Sequence, residues 1–276
     1  METFETSELA GWVRPGAADR RVLLLHGGPG LSQDYLLPLV DDLPGWTVAS
    51  FQQRGLTPST TDGPFDFPTA VADVHRVLDA LDWERPLVAG HSWGGPLAWH
   101  VAVSLGEGLA DRLGGVLAID PVGAVGDMGL PAFIDELHRR LTPESERAVA
   151  AWELIEEERP LTEAEAIEEM ALLWPAYFAD PARVPPFPDT RFSAAAFAGL
   201  TSSAVDQQPA LLAGLPRIRV PMGALVGGSS PIPASASTET MTLVPGAWTE
   251  TAAGAGHFVW FERPGAVATS LERLLA

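Results

Sequence analysis

Short, continuous apolar runs alternate with longer amphipathic segments along most of this chain. The short runs end near glycine or proline, which is typical of buried strands. Strands are predicted over residues 22–26, 46–51, 86–90, 115–119, 222–226 and 248–252. Helices are predicted over residues 32–43 (with Ser32 as N-cap), 69–81, 94–105, 234–243 and 259–275. Because strands that alternate with helices form a mostly parallel sheet covered by helices, this pattern predicts an α/β fold.

The alternation stops in the middle of the chain, where no convincing strand is visible. This region contains helical segments and a proline-rich stretch, over residues 131–141, 144–158, 162–174 and 181–188. We therefore predict one α/β core made of residues 1–121 and 207–276, into which residues 122–206 are inserted as a helical cap, or lid. No internal repeat and no long low-complexity linker indicates a further domain.

The composition excludes several classes of function. The chain has 276 residues, 46% of them hydrophobic, which suits one large domain. A net charge of −19 disfavours binding to nucleic acid or to an anionic membrane surface. All 17 basic residues are arginine and cysteine is absent, which excludes Schiff-base and P-loop lysines, a Ser–Lys dyad, a thiolate nucleophile and a cysteine metal site. Residues 1–12 show no signal-peptide pattern, and no apolar stretch reaches the ~18–20 residues of a spanning helix, so we expect a soluble, cytoplasmic protein.

Residues 90–94 (GHSWG) form a G-x-S-x-G sequence between a predicted strand and a predicted helix. In that context a sharp turn strains the serine backbone, lifts the hydroxyl above the sheet and directs it along the helix N-terminus. Side chains at Gly90 and Gly94 would collide with neighbouring elements. The alternative is an ordinary glycine-rich turn, but the strand–turn–helix context favours Ser92 as a catalytic nucleophile.

A second glycine-rich turn follows an earlier predicted strand, in residues 26–30 (HGGPG). An acyl-transfer enzyme stabilises the oxyanion of its tetrahedral intermediate, usually with two backbone N–H groups. Gly28 is predicted to supply one of these groups, and Trp93, which follows the nucleophile, the other. The alternative is a tight turn that binds nothing. The loop is not G-x-G-x-x-G and offers no cradle for phosphate.

The candidate general base is His257, in residues 254–258 (GAGHF). It lies after the last predicted strand and before the last predicted helix, where a loop at the strand ends can reach the serine. The other five histidines fall in the two glycine-rich turns or inside predicted helices. His257 also follows Ser92 in the chain order expected of this architecture.

Four motifs together resemble the α/β-hydrolase family, and its proline-iminopeptidase-like branch in particular: residues 26–30 (HGGPG), 53–55 (QRG), 90–95 (GHSWGG) and 254–264 (GAGHFVWFERP). The resemblance covers the core by its motifs and the cap only by position. It implies an eight-stranded sheet, a Ser–His–Asp triad and a helical cap that encloses the substrate. It also assigns the nucleophile and the base to Ser92 and His257, and the oxyanion hole to Gly28 and Trp93.

The acid of the triad departs from the family pattern. In the family it usually follows the penultimate strand, but here residues 226–231 read VGGSSP and Ser230 occupies the expected position. Serine cannot stabilise the imidazolium that forms when the base takes a proton. The predicted substitute is Asp120, at the end of the last strand before the cap, because pancreatic-lipase-like members of the family carry their acid there. The alternatives are a turn-capping role for Asp120, an acid at Asp127 or Asp206, and a Ser–His dyad.

The predicted cap is acidic: residues 135–169 contain twelve acidic residues and four arginines. The resemblance implies that cap carboxylates could bind a substrate ammonium group, but consecutive acidic residues cannot all point inward, so most are expected to face solvent. Five aromatic residues are predicted to line or support an apolar pocket: Trp152, Trp174, Tyr177, Phe178 and Trp260. Such residues are also common in cores. We therefore expect the substrate to carry an apolar acyl or alkyl group.

The sequence therefore predicts a serine hydrolase that cleaves a small ester, amide or peptide bond through an acyl-enzyme on Ser92. It does not separate an esterase or lactonase from an aminopeptidase, and carbon–carbon bond hydrolysis would use the same residues. Haloalkane dehalogenation is disfavoured because it needs an aspartate nucleophile. The missing acid at Ser230 favours the rival hypothesis, a ligand-binding protein that keeps the fold with little turnover. No metal or organic cofactor is expected, and the expected partner is a small molecule or short peptide.

Overall fold

One eight-stranded sheet forms the centre of the structure. The computed structural model describes residues 1–106, 110–159 and 161–276. The strands are β1 (Glu2–Glu5), β2 (Ala10–Arg14), β3 (Ala17–Leu25), β4 (Trp46–Phe51), β5 (Leu87–His91), β6 (Gly115–Ile119), β7 (Met222–Gly227) and β8 (Trp248–Ala252). Their order is β1-β2-β4-β3-β5-β6-β7-β8, with antiparallel pairing of β1 with β2 and of β2 with β4, and parallel pairing elsewhere. The predicted α/β class and the sheet size implied by the resemblance are confirmed.

β1 and β2 have no continuous apolar run in the sequence, and they were not among the predicted strands. Three of the four residues of β1 are exposed, and β2 contains glycine and a terminal arginine. Both strands extend the sheet by antiparallel pairing at its edge, where one face can contact solvent. Burial on both faces, which produces the apolar runs of the parallel strands, is therefore not required of them.

Ten α-helices surround the sheet within the described residues. They are α1 (Leu37–Asp41), α2 (Phe67–Leu81), α3 (Gly94–Leu105), α4 (Leu130–Arg140), α5 (Pro143–Glu158), α6 (Glu163–Leu173), α7 (Ala194–Gly214), α8 (Ala234–Thr242), α9 (Val259–Glu262) and α10 (Ala266–Leu275). Short 3₁₀ helices span Gln33–Leu36, Ala110–Arg112, Trp174–Tyr177, Pro181–Arg183 and Leu215–Arg217. None of the helices described has both the length and the apolar character needed to cross a lipid bilayer.

Two predicted helices differ in detail from the structure. Ser32 makes no capping hydrogen bond; its hydroxyl accepts the N–H of Arg191 and contacts the hydroxyl of Thr190, because the chain that leaves the predicted cap runs beside it. The helix predicted over residues 259–275 is divided into α9 and α10. Proline at position 264 cannot continue a helix, and Gly265 adopts a φ of 82°.

Two hydrophobic cores lie on opposite faces of the sheet, and β3 contributes alternately to both. Leu23 and Leu25 pack with α2 and α3 on one face. Val22 and Leu24 pack on the other face, with α1 and the C-terminal helices. This two-sided burial explains why the parallel strands appear in the sequence as continuous apolar runs rather than as alternating ones.

α7 lies between β6 and β7 in the chain but packs on the core. Its buried Leu200 and Leu211 belong to the same cluster as α2 and α3. A Cβ on Gly214 would lie 2.3 Å from the side chain of Val103, so the end of α7 touches α3 closely. The predicted boundary between residues 206 and 207 falls inside this helix.

A buried ion pair joins the loop after β4 to α2. Arg54 of the QRG motif donates from Nε and Nη2 to the two carboxylate oxygens of Asp73, at 2.6 and 2.8 Å. Both side chains are at least 96% buried. Nη1 of Arg54 also donates to the carbonyl of Asp62, so the guanidinium fixes the loop that leaves the sheet.

Asp73→Ala is expected to lower the free energy of unfolding by about 3–5 kcal/mol, because it removes both carboxylate hydrogen bonds of the buried Arg54 and leaves only the more distant, exposed Glu8, at 3.8 Å, as its counter-charge. Asp79→Ala, in the same helix, is the matched control: it removes an exposed ion pair with Arg112 and is expected to cost much less. Urea unfolding followed by circular dichroism measures both losses. Equal losses in the two variants would contradict a stabilising role for the buried pair.

Candidate active site

Ser92 lies at the sharp turn between β5 and α3. Its φ is 55°, a left-handed conformation that a residue with a side chain rarely adopts. A Cβ on Gly90 would lie 1.9 Å from the carbonyl oxygen of Gly94, and one on Gly94 would lie 2.3 Å from the carbonyl oxygen of Leu25. The turn therefore requires glycine at both positions. It places Ser92 at the carboxyl edge of the sheet, beside the N-terminus of α3.

Asp120 and His257 meet at the same edge. Nδ1 of His257 donates to Oδ2 of Asp120 at 2.6 Å, and only 4% and 2% of the two side chains are exposed. Asp120 follows β6 directly with a φ of 44°, and its backbone N–H donates to the carbonyl of Leu225 at 2.7 Å. Burial raises the pKa of Asp120 and lowers the pKa of His257, because desolvation penalises the charged form of each.

The loop after β7 supports the Asp120 carboxylate. The Ser230 hydroxyl donates to Oδ2 at 2.5 Å, and the Gly227 N–H donates to Oδ1 at 2.8 Å. Both hydrogen bonds lower the pKa of Asp120, against the larger effect of burial. Ser230, at the position where the family carries its acid, thus contacts the carboxylate that faces His257.

The other two acid candidates lie elsewhere. The Asp127 side chain accepts the N–H of Gly129 in an exposed turn. Asp206 is exposed on α7. Of the predicted acids, the structure therefore brings only Asp120 to His257 within the described residues.

A small cavity opens beside this group, and both Ser92 and His257 line it. Its volume is about 90 Å³, below the roughly 300–1,000 Å³ of sites for drug-sized ligands. The lining is mostly apolar and comes from the core and from the region between β6 and β7; it includes Leu31, Phe258, Met170, Trp174, Tyr177 and Phe187. The described lining contains no Asp, Glu or Arg side chain.

Of the two predicted oxyanion residues, one lies on the cavity wall and the other directly follows Ser92. Gly28 lines the cavity with a φ of 53°, and a Cβ on it would meet the side chain of Leu31 at 2.2 Å. Trp93 contributes its backbone to the turn before α3, while its indole packs on Phe67 with ring centroids 5.0 Å apart. The Trp93 ring therefore belongs to the core, and only its main chain stands beside the cavity-lining serine.

The five predicted pocket aromatics take three different positions. Trp174 and Tyr177 line the cavity. Trp260 and Phe178 are buried behind it, and their rings lie 4.8 Å from that of His91 and 5.5 Å from that of Phe258, respectively.

Trp152, the fifth aromatic residue, is not among the described lining of the cavity. Its side chain packs in a separate cluster with Leu161, Ala166 and Phe192. The separation arises because α5 carries Trp152 against α6 rather than against the sheet edge.

Several lining residues were not identified from the sequence. They come from the loop after β3, from α6 and from the proline-rich stretch: Leu31, Tyr35, Met170, Phe187, Pro188 and Thr190. The proline-rich stretch has no hydrophobic periodicity, so nothing in its sequence indicates that it lines the cavity. His91 and Phe258 also line the cavity, and they could have been found as the chain neighbours of Ser92 and His257.

A hydrogen-bond chain connects the loops that surround the cavity. The Gly27 N–H donates to the hydroxyl of Tyr35 at 2.5 Å, and that hydroxyl lies 3.0 Å from Nδ1 of His91. Nε2 of His91 lies 3.2 Å from the carbonyl of His257. Burial, and then the nearby His257, lower the pKa of His91, so its ring is neutral. The neutral ring then accepts from Tyr35 and donates to the His257 carbonyl.

The acidic residues of the predicted cap lie outside the described cavity lining. Glu169, next to the lining residue Met170, is half-buried. Desolvation, and then Glu156 and Glu153, raise its pKa to about 7. Desolvation and Glu169 raise the pKa of Tyr177 to about 12.

Comparison with known proteins identifies a family and several partial relatives. The family model described as the alpha/beta hydrolase family matches residues 22–270. A serine hydrolase-like protein of Danio rerio is 40% identical over 94 residues, which are 33% of this chain and 29% of the relative. A poly(3-hydroxyalkanoate) depolymerase of Ectopseudomonas oleovorans is 35% identical over 124 residues (44% and 43%), and a proline iminopeptidase of Chitinophaga pinensis is 34% identical over 90 residues (30% of each). The chain thus spans less than half the length of these relatives.

Solved structures match the chain over nearly its whole length. The structure of VinJ has a TM-score of 0.72 at 21% identity and covers 99% of this chain and 98% of its own. The 2-hydroxy-6-oxo-6-phenylhexa-2,4-dienoate hydrolase of Rhodococcus sp. has a TM-score of 0.69 at 18% identity (99% and 97%). The proline iminopeptidase of Mycobacterium smegmatis has a TM-score of 0.68 at 21% identity (99% and 97%). At these identities the likeness shows the fold.

Tyr35→Phe is expected to lower the free energy of unfolding by about 1–3 kcal/mol, because it leaves the buried Gly27 N–H without an acceptor and His91 without its donor. The matched control is Tyr177→Phe, since the Tyr177 hydroxyl makes no hydrogen bond within the described residues. Chemical unfolding of both variants measures the difference. A Tyr35→Phe protein as stable as the control would contradict the proposed chain of hydrogen bonds.

Proposed function

Because the chain belongs to the alpha/beta hydrolase family, we propose that it is a serine hydrolase with Ser92 as nucleophile, His257 as general base and Asp120 as acid. It cleaves a small ester, amide or peptide bond through an acyl-enzyme, and an ester of an apolar acid is its preferred substrate. The observation that carries this proposal is the 2.6 Å hydrogen bond between His257 and Asp120, at a cavity that Ser92 also lines.

The hydrogen bond sets the chemistry of the imidazole. Because Nδ1 donates to Asp120, the lone pair of the neutral ring is on Nε2. Burial lowers the pKa of His257, so the ring is neutral at pH 7 and can take the Ser92 proton as the hydroxyl attacks a carbonyl carbon. Asp120 then stabilises the imidazolium. His257 returns the proton to the leaving group, and water attacks the acyl-enzyme by the same route.

The oxyanion of each tetrahedral intermediate is assigned to the N–H groups of Gly28 and Trp93. Gly28 lies on the cavity wall, whereas the N–H of its neighbour Gly27 is already used by Tyr35. Trp93 precedes the first turn of α3, whose N-terminal dipole favours negative charge. One candidate donor thus lies on the cavity wall and the other lies next to Ser92 at the start of α3.

The cavity lining supports an uncharged, apolar acyl group. Its aromatic and aliphatic side chains provide burial for such a group, and its two histidines are neutral. A charged ammonium group placed there would lose its hydration without a carboxylate within the described lining, which costs several kcal/mol. The small volume favours a short acyl chain while the cap is closed.

Aminopeptidase activity is the second candidate, because relatives named proline iminopeptidase match the chain in sequence and in fold. It requires a carboxylate that binds the substrate ammonium, and the candidate is half-buried Glu169, which precedes the lining residue Met170 in the chain. Glu169 lies outside the described cavity lining, and burial raises its pKa. We therefore favour the ester.

A fluorophosphonate probe is expected to label the wild-type protein on Ser92, and Ser92→Ala is expected to abolish labelling. Asp120→Asn is expected to lower kcat/KM for a p-nitrophenyl ester by about 10⁴-fold, because an amide cannot stabilise the imidazolium. Asp127→Asn is the matched control and is expected to retain full activity. Intact-mass spectrometry and ester hydrolysis are the measurements.

Three outcomes contradict these assignments. Labelling that persists in Ser92→Ala refutes the nucleophile, and full activity of Asp120→Asn removes the acid. A folded wild-type protein that neither reacts with the probe nor hydrolyses any ester of a panel supports the rival hypothesis, a ligand-binding protein with this fold.

Substrate preference is tested with p-nitrophenyl butyrate and proline p-nitroanilide. We expect kcat/KM to be about 100-fold or more higher for the ester, because the described cavity lining has no counter-charge for the prolyl ammonium. Glu169→Gln is expected to leave ester hydrolysis within about twofold of wild type. A preference for the anilide that Glu169→Gln abolishes would instead establish the aminopeptidase.

A further inference from the structure

Arg140, at the end of α4, links the cap to the loop after β7. Its Nη1 donates to the carbonyls of Ser229 and Ala176 at 2.9 and 3.2 Å, and its Nη2 donates to the carbonyl of Ser230 at 3.2 Å. Its Nε donates to Glu136 at 2.7 Å within the same helix. Only 19% of the side chain is exposed, so the guanidinium is held between three segments of the chain.

The same loop holds the carboxylate of Asp120. The Ser230 hydroxyl donates to Asp120 while the Ser230 carbonyl accepts from Arg140. The N–H of Ile232 donates to the Ser230 hydroxyl at 3.1 Å, which directs the hydroxyl proton toward the carboxylate. The position of α4 therefore affects the position of the Asp120 carboxylate through Ser230, which contacts both Arg140 and Asp120.

Arg140 also acts through its charge. Within the described residues, the charged or titratable groups that face Asp120 are His257, from the loop after β8, and Arg140, from α4. The loop after β7 contributes only the neutral donors of Ser230 and Gly227. The positive charge of Arg140 lowers the pKa of Asp120 and so opposes the effect of burial.

We propose that Arg140 is a positioning residue for the triad, through which the cap helix sets the location and the ionisation of Asp120. This inference rests on the proposed function. An acid after β7 would be held by its own loop, whereas Asp120 extends from β6 and depends on a serine that Arg140 fixes. Arginine suits this role because its planar fork can donate to several carbonyls at once, which the single ammonium of lysine cannot do in the same geometry.

The experiment compares Arg140→Gln and Arg140→Lys with Arg139→Gln. Arg139 is the matched control, because it pairs with the same Glu136 but is 70% exposed and makes none of the contacts to the loop after β7. The measurement is kcat/KM for a p-nitrophenyl ester as a function of pH. Activity is lost as the pH falls through the pKa of the Asp120–His257 pair, so this acid limb reports the ionisation of the pair.

Arg140→Gln is expected to lower kcat/KM by about 10–100-fold, because it removes hydrogen bonds made by a charged donor. Without the positive charge the pair binds a proton more readily, so the acid limb is expected to move to higher pH by about 0.5–1 unit. Arg140→Lys keeps the charge and is expected to restore the acid limb but only part of the rate. Arg139→Gln is expected to keep kcat/KM within about twofold of wild type and to leave the acid limb unmoved.

A merely structural role for Arg140 would lower stability without moving the acid limb. A folded Arg140→Gln variant with wild-type kcat/KM and an unmoved acid limb overturns the proposal. If Arg140→Gln does not fold, Arg140→Lys decides, since lysine keeps the charge but cannot donate to the carbonyls of Ser229 and Ser230 with the same fork. A lower kcat/KM with an unmoved acid limb in Arg140→Lys supports the proposal, and a wild-type kcat/KM overturns it.

Proton NMR separates this inference from the proposed function. The Nδ1 proton of His257 is expected downfield because it is hydrogen-bonded to Asp120, and this signal does not depend on turnover. We expect the signal to shift in Arg140→Gln and not in Arg139→Gln. An unchanged signal in Arg140→Gln overturns the role of Arg140, whereas absence of probe labelling at Ser92 in the wild type overturns the serine hydrolase.

Discussion

One hydrogen bond, from Nδ1 of His257 to Oδ2 of Asp120, joins two positions that are 137 residues apart in the chain. It is possible because β6 and β7 are adjacent parallel strands whose carboxyl ends lie together, with Ile119 paired to Leu225. A residue that follows either strand can therefore reach the same point above the sheet. In this chain the carboxylate follows β6, and Ser230, in the loop after β7, is its hydrogen-bond donor.

The parts of the fold that are buried on both faces could be predicted from the sequence. The strand predicted over residues 46–51 and the helix predicted over residues 94–105 have the bounds of β4 and α3. Every residue of β4 and nine of the twelve residues of α3 are buried, and such burial leaves a clear apolar pattern in the sequence. The turn at Ser92 was also predictable. Its geometry excludes a Cβ at two positions, and such a constraint is visible in a single sequence as a pair of glycines.

The remaining parts depend on tertiary contacts that leave no local pattern. β1 is mostly exposed, β2 is partly buried, and neither strand has an apolar run. α7 has a mostly apolar composition without a clear apolar face, so its packing on the core could not be anticipated. In the same way, the prediction of Ser32 as a helix N-cap was wrong, because its hydroxyl contacts Arg191, which is distant in the sequence. The pocket wall near Phe187 belongs to a stretch without periodicity.

The loop of His257 is attached to the segment that follows α6, and this attachment limits how the cavity can open. The His257 N–H donates to the carbonyl of Tyr177 at 2.8 Å. The buried carboxylate of Glu262 accepts the N–H of Gly256 at 2.7 Å and that of Asp180 at 3.0 Å. Movement of residues 177–180 away from the sheet would remove the N–H donors of Ala179 and Asp180 from this buried carboxylate and leave it only the N–H of Gly256 within the described residues, at a cost of about 1–3 kcal/mol. Access for a substrate is therefore expected to depend on α5 and α6, whose contacts with the core are fewer, while the segment that bears Tyr177 stays in place with the imidazole.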